Sequence, residues 1–498
     1  MQTLSFHLGN NPTPVLASPR QTISSAHPAR ALLRRASFVW FAFALAAGVA
    51  GPLRAARVTI DYWEKWSGFE AEAMRAVVED FNRSQDRIEV RLLTINPMDV
   101  KLLLAASSGH PPDIAGLWTH TIPDLAEKGA LLPLDEALAA VHLGAEHYIP
   151  IFWELCRHRG FTWALPSTPG CVALFYNKRL FREAGLDPDR PPRTFAELEA
   201  MSQRLTRVEL DRDGHRVRIG FDQLTPAERA SGRYAIVQVG HLPHDAGMFM
   251  PAWGYWFGAK YYDGQRRILA NDAGALAAYH WFRTTVLTYG AEQLKDFGAS
   301  YGLSQTSQSP FLAGKEAMVV QGPWLKNFME KYAPDLEWGV AACPAAPGVS
   351  DDAPMTVVES DVLVIPRGAA HPREAFEFLR YVQRQDVAEK LAMGQRKFTA
   401  LREVSPDFVA KHPNPAIGFF IELARSPAAK AVPRIAIWRD YDIEMELAAA
   451  QVRLLQKTPE EALATVQQRL QWQFDRALRR WDVVADERLA EWREYERW

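Results

Sequence analysis

The chain has 498 residues, more than one domain ordinarily holds, and two domains of common size would use most of it. Its 57 basic residues against 59 acidic ones leave a formal charge of −2, which argues against nucleic acid as a bulk polyanionic partner. A hydrophobic share of 48% supplies real cores and excludes general disorder.

Residues before Arg30 are polar and rich in Ser and Pro, an extension without structural pattern. Arg30, Arg34 and Arg35 precede an apolar run from Ala36 to Ala50, and small residues follow as far as Ala56. A basic stretch, a short apolar stretch and small residues, in that order, form a secretory signal directing the chain to the periplasm. The run is shorter than the ~20 residues that span a bilayer. Beyond it, Arg57 to Trp63 alternates around Val58, Ile60 and Tyr62 and predicts a strand. Ala73, Val77 and Phe81, with Met74 and Val78, recur at helical spacing. Further strands are expected at Ile88 to Ile95 and Asp113 to Trp118, with helices at Asp99 to Ser107 and Ile122 to Lys128. Crossovers this long imply a parallel sheet covered on both faces, with ligands at the carboxyl ends of its strands. Here those ends are Trp63-Glu64-Lys65-Trp66 and Trp118-Thr119-His120.

After Pro166 the pattern restarts with a strand at Val172 to Tyr176 and a helix from Asn177 that stops at Gly185. Thr194 with Glu197 makes a capping box, and Asp211 to His215 a polar hairpin turn. Ala275 to Leu287 and Glu374 to Ala392 are long amphipathic helices. Val357 to Ile365 is a strand returning after the Pro-rich loop Cys343 to Gly348. The three cysteines, Cys156, Cys171 and Cys343, show neither metal-ligand spacing nor a disulfide framework, and one bridge stays open as an alternative.

Three segments, in order, resemble the family 1 extracellular solute-binding proteins of the maltose-binding type. They are Leu165-Pro166-Ser167-Thr168 with Leu174 to Phe181, then Phe311 to Met318 leading to Gly322-Pro323-Trp324, then Thr458-Pro459-Glu460-Glu461-Ala462-Leu463. The resemblance runs from Arg57 to about Leu470. It implies an α/β protein of two lobes, each a mainly parallel sheet flanked by helices, closing like a hinge on a ligand cleft. It also implies a function: capture of a small polar solute, a sugar or oligosaccharide, for an ABC importer's permease subunits, by a monomer without cofactor or metal. Chain crossings are then expected near Pro166, Pro344 and Lys397. The lobes become residues 57–166 with 346–396, and 167–345 with 400–475, followed by a helical extension at 476–498 and preceded by the signal and extension at 1–56.

A sugar ring offers apolar C–H faces to aromatic rings and a rim of hydroxyls to carboxylates, amides and cations. The chain has 16 tryptophans, several where the resemblance places cleft residues. Trp324 matches the stacking position, with Gly322 before it and Thr168 in the first matched segment. Trp63, Trp66 and Trp118 stand at strand ends with Glu64 and Thr119 as polar partners. Trp253 and Tyr255 lie in a segment the resemblance makes a ligand-facing loop, where Gly254 lets the chain turn. Trp438 stands before a helix as another contact. Glu359 and Asp361 depart from the small residues and glycine common there, which suits hydroxyls or a ligand amine, and equally an N-cap-like surface pair.

Rival readings are a secreted glycoside hydrolase, a binding protein for polyols or glycerol phosphates, and iron capture by Tyr261-Tyr262. No Gly-x-Ser-x-Gly elbow, His-Glu-x-x-His helix or phosphate-binding loop occurs. The tyrosine pair, followed by Asp263-Gly264, reads as a strand entering a turn.

Overall fold

A computed structural model describes residues 57–495, apart from 244–245, 303–305 and 351. The expected signal and extension, residues 1–56, and the last residue, Trp498, lie outside the described residues. Eleven strands build two sheets: β1 (Val58–Glu64), β2 (Ile88–Thr94), β3 (Ile114–Trp118), β4 (Leu165–Cys171), β5 (Ala173–Asn177), β6 (Arg207–Arg212), β7 (His215–Gly220), β8 (Ala235–His241), β9 (Glu316–Gln321), β10 (Trp338–Ala341) and β11 (Val358–Val364). The first sheet has the order β2-β1-β3-β11-β4, the second β10-β5-β9-β8-β6-β7. Each is the centre of one lobe, covered by helices.

The strand and helix expectations in the first 130 residues hold to within a residue or so at each end. Ile60 and Tyr62 point into the core beneath the helix Gly68–Ser84, whose Met74, Val77, Val78 and Phe81 are buried against them. The expected helix from Glu374 to Ala392 is instead two, Pro372–Val382 and Gln385–Gln395. The break falls at Gln383, whose amide donates to the Pro166 carbonyl at 3.1 Å and accepts from the Tyr148 hydroxyl at 3.0 Å. The cysteines are buried and free.

The sheets are not mainly parallel. β1 pairs in parallel with β2 and β3, and β8 with β9, but β11 runs antiparallel to β3 and β4, and β5 antiparallel to β9 and β10. The cause is the two-lobed path. A strand arriving from the other lobe enters at the cleft, where β1 and β3 end, so it must run against them. β11 does this, with Asp361 opposite Trp118.

The passages between lobes also fall elsewhere than the prolines suggested. Pro166 and Pro169 sit inside β4, an edge strand, where a missing N–H is tolerated. The chain leaves the first sheet only beyond Cys171 and enters the second at Ala173. Beside it, Val172 donates to the Val357 carbonyl at 3.2 Å, and Lys430 bridges Val357 in parallel, with Val358 donating to the Lys430 carbonyl at 2.8 Å. Three segments therefore cross side by side at Val172, Val357 and Lys430. The last helix, Pro459–Tyr495, has 37 residues. It packs Leu463, Val466 and Leu470 into the second lobe's core, then Trp481 and Trp492 against Phe161 and Trp163 of the first.

Candidate functional site

Between the lobes lies a cavity of about 330 Å³. Its first wall is built where β1, β3, β4 and β11 reach the cleft: Trp66, Glu70, Trp118, His120, Thr168, Gly170, Glu359 and Asp361, with Lys397 beside them. Facing them from the second lobe are Gly247, Met248, Phe249, Trp324 and Phe328. The walls touch at both ends. Phe69 meets Phe328 edge-on at 5.2 Å between centroids, His120 meets Phe249 at 5.2 Å, and Arg439 pairs with Asp99 at 2.5 Å.

The centre of the first wall is Asp361, 6% exposed. One oxygen lies 3.0 Å from Lys65 Nζ and accepts from the Trp66 indole at 3.0 Å. The other lies 2.7 Å from Lys397 Nζ and 3.0 Å from Thr168 Oγ1. Lys397 also pairs with Glu70 at 2.8 Å, and Lys65 with Glu64 at 3.4 Å. Burial pushes the Asp361 carboxyl up, but the two ammonium groups outweigh it and hold it at about 2. Burial likewise pushes Lys397 down, and Asp361 and Glu70 outweigh that, keeping it charged well above the usual lysine range. Glu70, deeply buried, is held above the ordinary carboxylate range in spite of Lys397.

Aromatic rings enclose these charges. Lys65 Nζ lies 5.2 Å from the Trp66 centroid and 5.0 Å from that of Trp118, and Lys397 Nζ lies 5.1 Å from Trp66 and 5.8 Å from Trp324. Trp66 and Trp118 meet edge to face at 5.5 Å. Trp324 is seated by two glycines: a Cβ at Gly322 would come within 2.1 Å of its ring, and one at Gly170 within 2.7 Å. Its indole donates to Gln321 at 3.2 Å. Glu359 accepts from the backbone of Thr119 and of Ser360, both at 3.0 Å, and from the Thr119 hydroxyl, while its second oxygen lies 2.9 Å from His120 Nδ1.

The profile described as "Bacterial extracellular solute-binding protein" matches residues 68–389. The chain belongs to this family. A binding protein of Brucella abortus (strain 2308) is 24% identical over 302 residues, 60% of this chain and 66% of its own length, so the chain spans just under two thirds of that relative. The maltotriose-binding protein of Pyrococcus abyssi is 23% identical over 383 residues, 76% of this chain and 74% of that one. Among solved structures, CpMnBP1 with mannotriose bound superposes with a TM-score of 0.71 at 24% identity, over 82% of this chain and 99% of that one. The sugar-binding protein MalE of Xanthomonas citri gives 0.65 at 20% identity, over 86% and 99%. These likenesses establish the two-lobed fold of the solute-binding proteins.

Within this solute-binding protein the expected site residues divide. Trp66, Trp118, Thr168, Trp324 and Glu359 line the cavity. Gly322, Glu64 and Thr119 stand directly behind it: Gly322 under the Trp324 ring, Glu64 against Lys65, Thr119 on Glu359. Trp63 instead packs against the cluster of Met98, Leu102 and Trp163, because alternation along β1 turns it away from Glu64. Trp253 and Tyr255 do not reach the cavity, being 1% and 5% exposed. Trp253 packs among His241, Trp256 and Trp281, and the Tyr255 hydroxyl donates to the Ala431 carbonyl. Gly254 exposes no ring; it makes room for the Tyr261 phenol. Trp438, 1% exposed, stacks on Tyr441 beneath Phe249.

Phe249, two residues before Pro251, is the ring that the Trp253 segment's neighbourhood actually presents to the cavity. Glu70 was hidden because an acidic residue in a helix's first turn ordinarily complements the helix dipole. Lys397, expected only as a point where the chain crosses between lobes, follows Arg396, whose φ of 58° ends the preceding helix. Tyr261 and Tyr262 pair with Ile268–Leu269 in a two-stranded hairpin. Among the described residues, no group of three or more His, Cys, Asp or Glu is placed to hold a metal.

Proposed function

We propose that this solute-binding protein captures a carbohydrate in the cleft and delivers it, by hinge closure, to the permease of an ABC importer. The observation that carries the reading is the set of three indoles, Trp66, Trp118 and Trp324, around carboxylates and ammonium groups in one cavity. Indole faces match sugar C–H faces, and charged groups match hydroxyl rims. The maltotriose-binding relative and the mannotriose-bound structure support the same class of ligand. Trp66, Trp118, Thr168, Trp324 and Glu359 are the proposed contacts, with Glu70, Lys397 and Phe249 added. The chain acts as a monomer in the periplasm, exported by the signal in residues 1–56, and leaves its ligand unchanged.

A ligand that binds only the folded state raises the unfolding midpoint by an amount that grows with its concentration. Thermal unfolding of the purified protein with neutral mono- to tetrasaccharides, polyols and glycerol phosphate is expected to show a rise with a saccharide, lost in Trp324→Ala. Product analysis of the same mixtures is expected to return the saccharide intact. A midpoint unmoved by every saccharide, or the appearance of hydrolysis products, defeats the proposal.

A further inference from the structure

The two walls differ in a way that fixes the charge of the ligand. On and directly behind the first wall stand four buried carboxylates, Glu64, Glu70, Glu359 and Asp361, against two buried ammonium groups, Lys65 and Lys397. Both lysines are held by carboxylates of the protein itself: Lys65 between Asp361 at 3.0 Å and Glu64 at 3.4 Å, Lys397 between Asp361 at 2.7 Å and Glu70 at 2.8 Å. Glu359 is held by backbone N–H groups and by hydrogen bonds from Thr119 and His120 rather than by a lysine or arginine. Among the described residues, no arginine lines the cavity and the second wall adds no charged side chain.

We infer that the cleft filters by charge, taking saccharides that are neutral or carry an amine and excluding those that carry a carboxylate or phosphate. The inference rests on the saccharide-binding reading above. A carboxylate or phosphate entering the cavity is drawn out of water and meets a wall whose carboxyl groups outnumber its lysines and whose two lysines are already engaged by them. To bind, it would have to draw Lys65 or Lys397 away from Asp361 and leave that buried carboxylate with only one of its two cations. Unlike an anion, a hydroxyl rim needs no net counter-charge: it donates to Glu70 or Glu359 and accepts from Lys397. An ammonium group on the ligand is drawn to the excess carboxylate and to the indole faces.

Calorimetric titration of the purified protein decides this, using three trisaccharides of similar length and different charge, mannotriose, trimannuronate and a trimer of unacetylated glucosamine, with glycerol 3-phosphate as a small anionic probe. The expected result is binding of a neutral or amine-bearing probe, with the anionic probes weaker by about 100-fold or more, since like charges a few ångströms apart in such a site repel by several kcal/mol. In Glu70→Gln, which removes one carboxylate while keeping its shape, the gap between neutral and anionic probes is expected to narrow about tenfold. Trimannuronate or glycerol 3-phosphate binding as tightly as the best neutral or amine-bearing probe overturns the filter and leaves saccharide or solute binding standing. A gap left unchanged by Glu70→Gln, in a variant whose unfolding midpoint matches the parent, also overturns the assigned cause. Silence with all four probes, and with the wider saccharide panel above, removes the binding reading and the filter with it.

Discussion

The two walls of the cleft were made by different means. The first is a charge network, in which Asp361 gathers Lys65 and Trp66, Thr168, and Lys397 from three separate segments of the chain. The second is apolar and aromatic: Trp324 in its glycine slot, Phe249, Phe328 and Met248. A ring with two apolar faces and a polar rim needs both kinds of surface. The first wall, being buried and mutually satisfied, also holds its lobe together, whereas the second is free to act chiefly on the ligand.

That difference is open to direct attack. Asp361→Ala removes the partner of two buried ammonium groups and is expected to destabilise the protein by about 3–5 kcal/mol, read from chemical denaturation. A loss below 1 kcal/mol would mean that water already reaches the network. The same residue shapes the acid limb of stability. Its carboxyl sits at about 2 in the folded protein against 3.8 for the free group, so its contribution is complete above the free value and drains away as pH falls toward 2. Glu70 works in the opposite sense: its raised value makes its ionisation unfavourable to folding as pH rises past the ordinary carboxylate range. Unfolding free energy measured between pH 5 and pH 2 should therefore fall less steeply in Asp361→Asn than in the parent; an unchanged slope would remove Asp361 as its source.

Trp324→Ala acts on the other wall. It is expected to weaken saccharide binding by about 2 kcal/mol, roughly 30-fold, while leaving the acid limb as in the parent. A variant that binds normally would move the stacking surface to Trp66 or Trp118. Smallest is Arg439→Ala at the rim, where the pair with Asp99 is largely exposed and worth under about 1 kcal/mol. Its effect should show in the salt dependence of affinity and not in stability.

Much of this was legible in the sequence, and the failures have a common cause. The opening strands and helices were readable because Ile60, Tyr62, Val77 and Phe81 repeat at strand and helix periods. Trp66 and Trp118 could be found because strand ends place side chains at a cleft, and Trp324 because the family resemblance puts a stacking ring there. What could not be read were pairings across long stretches of chain: Lys65 with Asp361, Glu70 with Lys397, Phe249 with His120. Each partner alone has an ordinary explanation. Trp253, Tyr255 and Trp438 show the converse, since an aromatic in a loop-like segment looks the same whether it faces ligand or core. Their neighbours drew them inward: Trp256 and Trp281 for Trp253, Tyr261 for Tyr255, and Tyr441 for Trp438.

The most direct measurement is a crystal structure grown with whichever saccharide raises the unfolding midpoint most. The account predicts a sugar ring against the Trp324 indole, with hydroxyls within hydrogen-bond distance of Glu70, Glu359 or Lys397 on the facing wall. A saccharide seated outside this cavity, or one touching only a single wall, would contradict it.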